Sequence, residues 1–141
     1  MKNILLPQNV KYIIVHCTAT PVRRDIGSAE IRRYHLSQGW SDIGYHYVVR
    51  LDGTVEPGRS VSIPGAHCKG LNYCSIGVCY VGGVLDDFKT PADTRTTRQK
   101  ESLRKLIANL RARYPGAVVR SHSDFAPKAC PCFDATREYA E

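Results

Sequence analysis

Three residues with the chemistry of a metal centre stand far apart in the chain: His16, at the end of an apolar run, His122, after another such run, and Cys130, eight residues further on. Two imidazoles and one thiolate suit zinc, and three protein ligands leave the fourth tetrahedral position for water, the mark of a catalytic rather than a structural site. The spacing is long and unsymmetrical, so as a bare pattern it is weak, and a histidine taken singly is more often a hydrogen-bonded structural residue. Position separates these two, because strand ends are where rigid scaffolds present functional groups. His35, on an expected helix, carries no functional claim. Side chains alternate along an extended segment, so His16 and Cys17 cannot both face one metal, nor can Tyr45 and His46 face the same way. By the same rule Lys128, Cys130 and Cys132 are expected on one side.

The elements that must position these groups read as follows. Residues 11–17 (KYIIVHC) form a short β-branched run suited to a buried strand. Between Ser28 and Gln38, Ile31, Tyr34 and His35 recur at helical spacing, with Ser28 as the cap and Gly39 as the stop. Residues 45–50 (YHYVVR) predict a strand, and Asp52-Gly53 a tight hairpin turn. Residues 56–74 read as loop, and 75–81 (SIGVCYV) as another apolar strand closed by Gly82-Gly83. The longest helix is expected between about Pro91 and Tyr114, with Leu103, Leu106, Ile107, Leu110 and Tyr114 as its apolar stripe. Residues 117–121 follow as a strand, and the tail from Asp134 forms a helical turn or two. This alternation predicts an α/β fold: one domain over residues 1–141, with a central mixed β-sheet flanked by helices.

Composition narrows the functional classes. The chain has 141 residues, with 20 Lys+Arg against 13 Asp+Glu for a formal charge of +7, in an ordinary globular composition. No stretch approaches the roughly 18 apolar residues of a membrane span, and residues 1–8 are too short and too weakly apolar for a secretory signal, so synthesis in the cytoplasm is expected. Under those conditions the six cysteines read as reduced thiols or metal ligands, with a Cys68–Cys74 bridge open to a protein working outside the cell. The positive charge favours an anionic partner, whether nucleic acid, anionic lipid or a carboxylate-bearing polymer such as a bacterial wall, and does not choose among them. The basic residues of the long helix, Arg98, Lys100, Arg104, Lys105 and Arg111 among them, read as a solvated face, and no nucleic-acid partner is expected.

Several short motifs occur in a fixed order: His16-Cys17-Thr18-Ala19-Thr20 after a strand, Gly39-Trp40, Asp42-Ile43-Gly44-Tyr45-His46-Tyr47, Asp52-Gly53-Thr54, Gly65-Ala66-His67, Ser75-Ile76-Gly77-Val78 and Lys128-Ala129-Cys130-Pro131. From about Tyr12 to Asp134 the chain resembles the zinc-dependent N-acetylmuramoyl-L-alanine amidases of the phage lysozyme group, relatives of the animal peptidoglycan recognition proteins. The resemblance implies one zinc held by His16, His122 and Cys130, catalytic roles for Tyr45 and Lys128, and a groove holding His67, with Trp40 as a candidate wall. It also implies cleavage of the amide between N-acetylmuramic acid and L-alanine in peptidoglycan. A phage or prophage endolysin, monomeric and released to the wall by a separate membrane protein, is the expected biology. The rival is a module that binds peptidoglycan without cutting it; loss of the cysteine ligand marks such relatives, and Cys130 is present here. One departure is Cys132, where many relatives have glycine. A closed His₂Cys₂ site would follow if both thiols reached the metal, but Pro131 restricts that turn, so Cys130 alone is expected to ligate, leaving Cys132 to a disulfide or a free thiol.

Overall fold

Apolar alternation along the strands gives the sheet two faces with different tasks. The computed structural model describes residues 4–140, so residues 1–3 of the segment read for a signal lie outside it. Five strands, β1 (Tyr12–Cys17), β2 (Tyr47–Val49), β3 (Val55–Pro57), β4 (Ser75–Tyr80) and β5 (Val118–Ser121), form one sheet in the order β3-β2-β4-β1-β5. β1 pairs in parallel with both β4 and β5, β2 is parallel to β4, and β3 turns back antiparallel to β2. The sheet is therefore mixed, as expected, and its inner strands are covered on both faces: all six residues of β4 are buried.

One face packs on the long helix. Ile13 and Val15 of β1, Ile76, Val78 and Tyr80 of β4, and Val119 of β5 share a core with Leu103, Leu106, Ile107 and Leu110. Helix α1 (Ser28–Ser37) lies with the other sheet face, where its Ile31 clusters with Ile43, Val48 and Val81. Alternation then turns His16, Ser75, Gly77 and Cys79 toward this second face, away from the long helix. No helix of the described residues is long and apolar enough to cross a membrane.

The long helix α2 spans Thr97–Arg113, starting some six residues after the expected Pro91. Thr96 explains the later start: its hydroxyl accepts from the Gln99 backbone N–H at 3.0 Å while the Gln99 side chain accepts from the Thr96 N–H at 2.9 Å. Gln99 is fully buried and its amide also donates to the carbonyls of Val49 and Val81, tying the helix start to the ends of β2 and β4. In the hairpin, Gly53 takes φ +89° and donates to the Arg50 carbonyl at 2.8 Å, a conformation that favours glycine. Within the segment expected to be loop, β3 extends to Pro57 and a 3₁₀ turn forms at Asn72–Cys74.

The residues before α2 form a clasp instead of helix. The Arg95 side chain, only 3% exposed, pairs with Asp93 at 2.9 Å and with Glu138 of the short helix α3 (Ala135–Glu138) at 2.8 Å, and its guanidinium lies 3.4 Å from the centre of the Phe133 ring. Removing it strands two partly covered carboxylates. Arg95→Ala is expected to cost about 2–3 kcal/mol, at or just below the lower limit for a broken buried pair because both carboxylates keep some water. A melting temperature lowered by roughly 5–10 °C is the readout; a shift within scan error would contradict the clasp.

Candidate functional site

Parallel register builds the site. Val15 of β1 is the partner of Ser121 of β5, so the next residues, His16 and His122, meet at the carboxyl end of the sheet with ring centres 4.4 Å apart. Ser121 is itself fixed: its N–H donates to Thr136 Oγ1 and its hydroxyl accepts from the Ala135 N–H at 2.8 Å. The loop after β5 then returns to the end of β1, where the Cys17 N–H donates to Cys130 Sγ at 3.2 Å. As a result, one ligand-type atom from each of His16, His122 and Cys130 lies within 4.8 Å of the other two.

These atoms fit a metal ion. Cys130 Sγ and His16 Nδ1 are 3.9 Å apart, against roughly 3.5 Å between sulfur and nitrogen donors on tetrahedral zinc, from bond lengths of about 2.3 and 2.0–2.1 Å. His122 Nδ1 is buried and has no hydrogen-bond partner among the described residues. A buried polar atom left unpaired costs about 1–3 kcal/mol, and a cation at this point would satisfy it. Burial lowers the pKa of His16 well below the usual value, aided by His67, His122 and Lys128, and burial followed by Lys128 lowers that of His122. Both rings are thus neutral at pH 7, with lone pairs to offer.

Cys132 does not join them. A turn in which its N–H donates to the Ala129 carbonyl at 2.7 Å, with φ +70°, carries its thiol to within 3.9 Å of Cys17 Sγ. The expected alternation of Cys130 and Cys132 onto one side therefore fails, because this stretch turns rather than extends. All six cysteines are free thiols, so Cys68 and Cys74 are not bridged.

Two hollows hold the residues around this point. One, of about 510 Å³, is lined by Trp40, Ala66, Lys69, His122, Phe125 and Lys128, with the His67 ring in its wall. The other, of about 380 Å³, is lined by Thr18, Arg24, Glu30, Tyr34, His35 and Tyr45. Lys128 lines the first hollow together with His122, and Tyr45 lines the second, with its ring centre 5.2 Å from that of His16. Burial, then the neighbouring thiols of Cys79, Cys130 and Cys17, raise the Tyr45 pKa well above its usual value, so the phenol keeps its proton. Trp40 is 41% exposed and stacks at 4.3 Å on His35, a groove-wall rather than a core position. A larger hollow of about 750 Å³ lies on the far side, lined by Arg111, Arg120 and Tyr139, and holds none of these residues.

The other histidines serve the scaffold. His46 accepts from the Gly77 N–H at 3.0 Å and meets the Ile63 carbonyl at 2.9 Å. His67 is 8% exposed, with Nδ1 at 2.8 Å from His16 and Nε2 at 3.2 Å from Ser75 Oγ. Both ring nitrogens of His67 are thus engaged within the protein, while the residue also lines the first hollow. Ser75 and Gly77 escaped the sequence reading of the site, although their alternate positions on β4 were the available signal. Burial lowers the pKa of His67 to about 3 and, with Arg59, those of His35 and His46 as well. The unfolded chain accordingly binds more protons than the fold once pH drops below about 6.5. The metal-free protein should lose about 1.4 kcal/mol per pH unit for each buried imidazole kept neutral, starting below pH 6.5 and continuing for His67 to about pH 3. Denaturant titrations at pH 7 and pH 5 read this above most carboxylate titration; equal stability would contradict it.

Comparison with known proteins agrees with this geometry. Residues 6–133 match the family model described as N-acetylmuramoyl-L-alanine amidase. The chain is 51% identical over 125 residues to the endolysin of Escherichia phage T7, covering 89% of this chain and 82% of that protein. Among solved structures, the N-acetylmuramoyl-L-alanine amidase LysC from Clostridium intestinale superposes with a TM-score of 0.80 at 27% identity, over 96% of this chain and 85% of that one. Bumblebee PGRP-SA, at 23% identity and a TM-score of 0.79 over 98% of this chain and 84% of its own, shares the fold. With the family model spanning the whole sheet and the positions of His16, His122 and Cys130, the chain belongs to the N-acetylmuramoyl-L-alanine amidase family and is a peptidoglycan amidase.

Proposed function

We propose that the enzyme is zinc-dependent and hydrolyses the amide between the lactyl group of N-acetylmuramic acid and L-alanine, as an endolysin acting on the bacterial wall. The observation that carries the metal is the convergence of His16, His122 and Cys130 within 4.8 Å, with His122 Nδ1 left without a partner among the described residues. Zinc held there would supply Lewis-acid polarisation of the scissile carbonyl and would lower the pKa of bound water toward about 7.

The protein's own groups do the rest. The Lys128 ammonium, exposed on the groove rim, faces the carbonyl oxygen and stabilises the negative charge that grows there as the carbonyl carbon becomes tetrahedral. Tyr45, which keeps its proton, orients the attacking water through its hydroxyl rather than removing a proton from it. Trp40 gives the groove an apolar wall against which a sugar or peptide packs. The formal charge of +7 favours approach to an anionic polymer. One chain contributes every residue of this arrangement, so a monomer suffices. The phage T7 relative is named an endolysin, which supports action on the bacterial wall.

Purified protein incubated with muropeptides should release peptides that begin with free L-alanine, and a chelator should stop the release. Products cut within the glycan or within the peptide, or no products from protein that demonstrably holds zinc, would overturn the reading. The last outcome would favour a pure peptidoglycan binder.

A further inference from the structure

Behind His16 runs a chain of hydrogen bonds whose direction is set by one carbonyl. Ser75 Oγ lies 2.8 Å from the Leu71 carbonyl oxygen, which can only accept, so the hydroxyl proton of Ser75 is committed there. Ser75 Oγ must then accept from His67 Nε2 at 3.2 Å, placing the single proton of that neutral ring on Nε2. His67 Nδ1, left with its lone pair, accepts from His16 Nε2 at 2.8 Å. His16 therefore carries its proton on Nε2 and keeps the Nδ1 lone pair on the side of Cys130, 3.9 Å away.

We propose that Ser75 and His67 are positioning residues that lock His16 in the tautomer able to bind metal through Nδ1. The purpose assigned to this lock rests on the zinc reading above; the direction of the hydrogen bonds does not. The surroundings of His67 are shaped for it. A Cβ on Gly77 would stand 2.7 Å from the His67 ring carbons, and a Cβ on Gly65 would stand 2.7 Å from His67 Cδ2, so both positions require glycine while the ring sits there. Asn72 Oδ1 accepts the N–H groups of His67 and Cys68 at 2.9 and 3.0 Å, holding the backbone that carries the ring. Residues dispersed over 65–77 thus serve the orientation of one side chain on a neighbouring strand. Without the Ser75 hydroxyl, the chain is free to reverse. His67 would donate from Nδ1, and His16 would point an N–H at the metal position.

Nitrogen-15 histidine spectra of the metal-free wild-type protein test the direction without any variant. His16 and His67 should both be the Nε2–H tautomer, and an Nδ1–H tautomer at either would overturn the proposal. Zinc affinity, measured by competition with a chromophoric chelator, tests the purpose. Ser75→Ala should bind zinc about 10–100-fold more weakly, while Ser75→Thr, which keeps the hydroxyl, should stay near wild type. Equal affinity of Ser75→Ala and wild type would overturn the lock. A wild-type protein that takes up no zinc would instead overturn the metal reading, leaving the spectra to decide the tautomers.

Discussion

Replacing Cys130 by serine is expected to lower muropeptide turnover by roughly 10³-fold or more, the equivalent of about 4 kcal/mol of barrier. The substitution changes little else. Cys130 is partly exposed, and its local tie, the Cys17 N–H donated to Sγ at 3.2 Å, can be made to a serine oxygen. What disappears is the soft thiolate of a His₂Cys set, since a serine hydroxyl does not ionise near neutral pH. The variant should melt near the wild-type temperature, lose zinc on dialysis against chelator, and still bind insoluble wall material. That combination separates an enzyme from a binding module, because a pure binder would show no turnover to lose. Retained turnover would remove Cys130 from the site.

Lys128→Met is the second large effect. Methionine keeps most of the length of the side chain and removes the charge, and the residue is exposed, so stability should hardly move. If the ammonium meets the charge that develops on the carbonyl oxygen, kcat should fall about 10²–10³-fold, with KM changing far less. Zinc content should stay at the wild-type level, which distinguishes this loss from that in Cys130→Ser. A variant whose KM rises while kcat holds would assign Lys128 to ground-state binding of the wall polymer instead.

The strands of the sheet were legible because their burial is written locally. The run from Tyr12 to Cys17 is apolar and β-branched, and the Asp52-Gly53 pair announces its hairpin through a φ of +89° at Gly53. The start of α2 was misplaced because the apolar stripe marks only where a helix packs. Its beginning is decided by the reciprocal bonds of Thr96 and Gln99 and by the Arg95 clasp, whose partner Glu138 lies 43 residues away. For the site, residue types at strand ends suggested His16, His122 and Cys130, and family likeness supplied the roles. Their closeness depends on the register of Val15 with Ser121, which no local pattern contains. The side taken by Cys132 and the pairing of the His67 ring were not legible for the same kind of reason: one sits in a turn that breaks alternation, and the other has both ring nitrogens engaged across strands.

Zinc content combined with X-ray absorption at the zinc edge tests the central claim most directly. One zinc per chain, with two nitrogen donors, one sulfur and one further light atom, is the predicted result. A chain that takes up no zinc, or a zinc bound by two sulfurs with Cys132 drawn in, would contradict it.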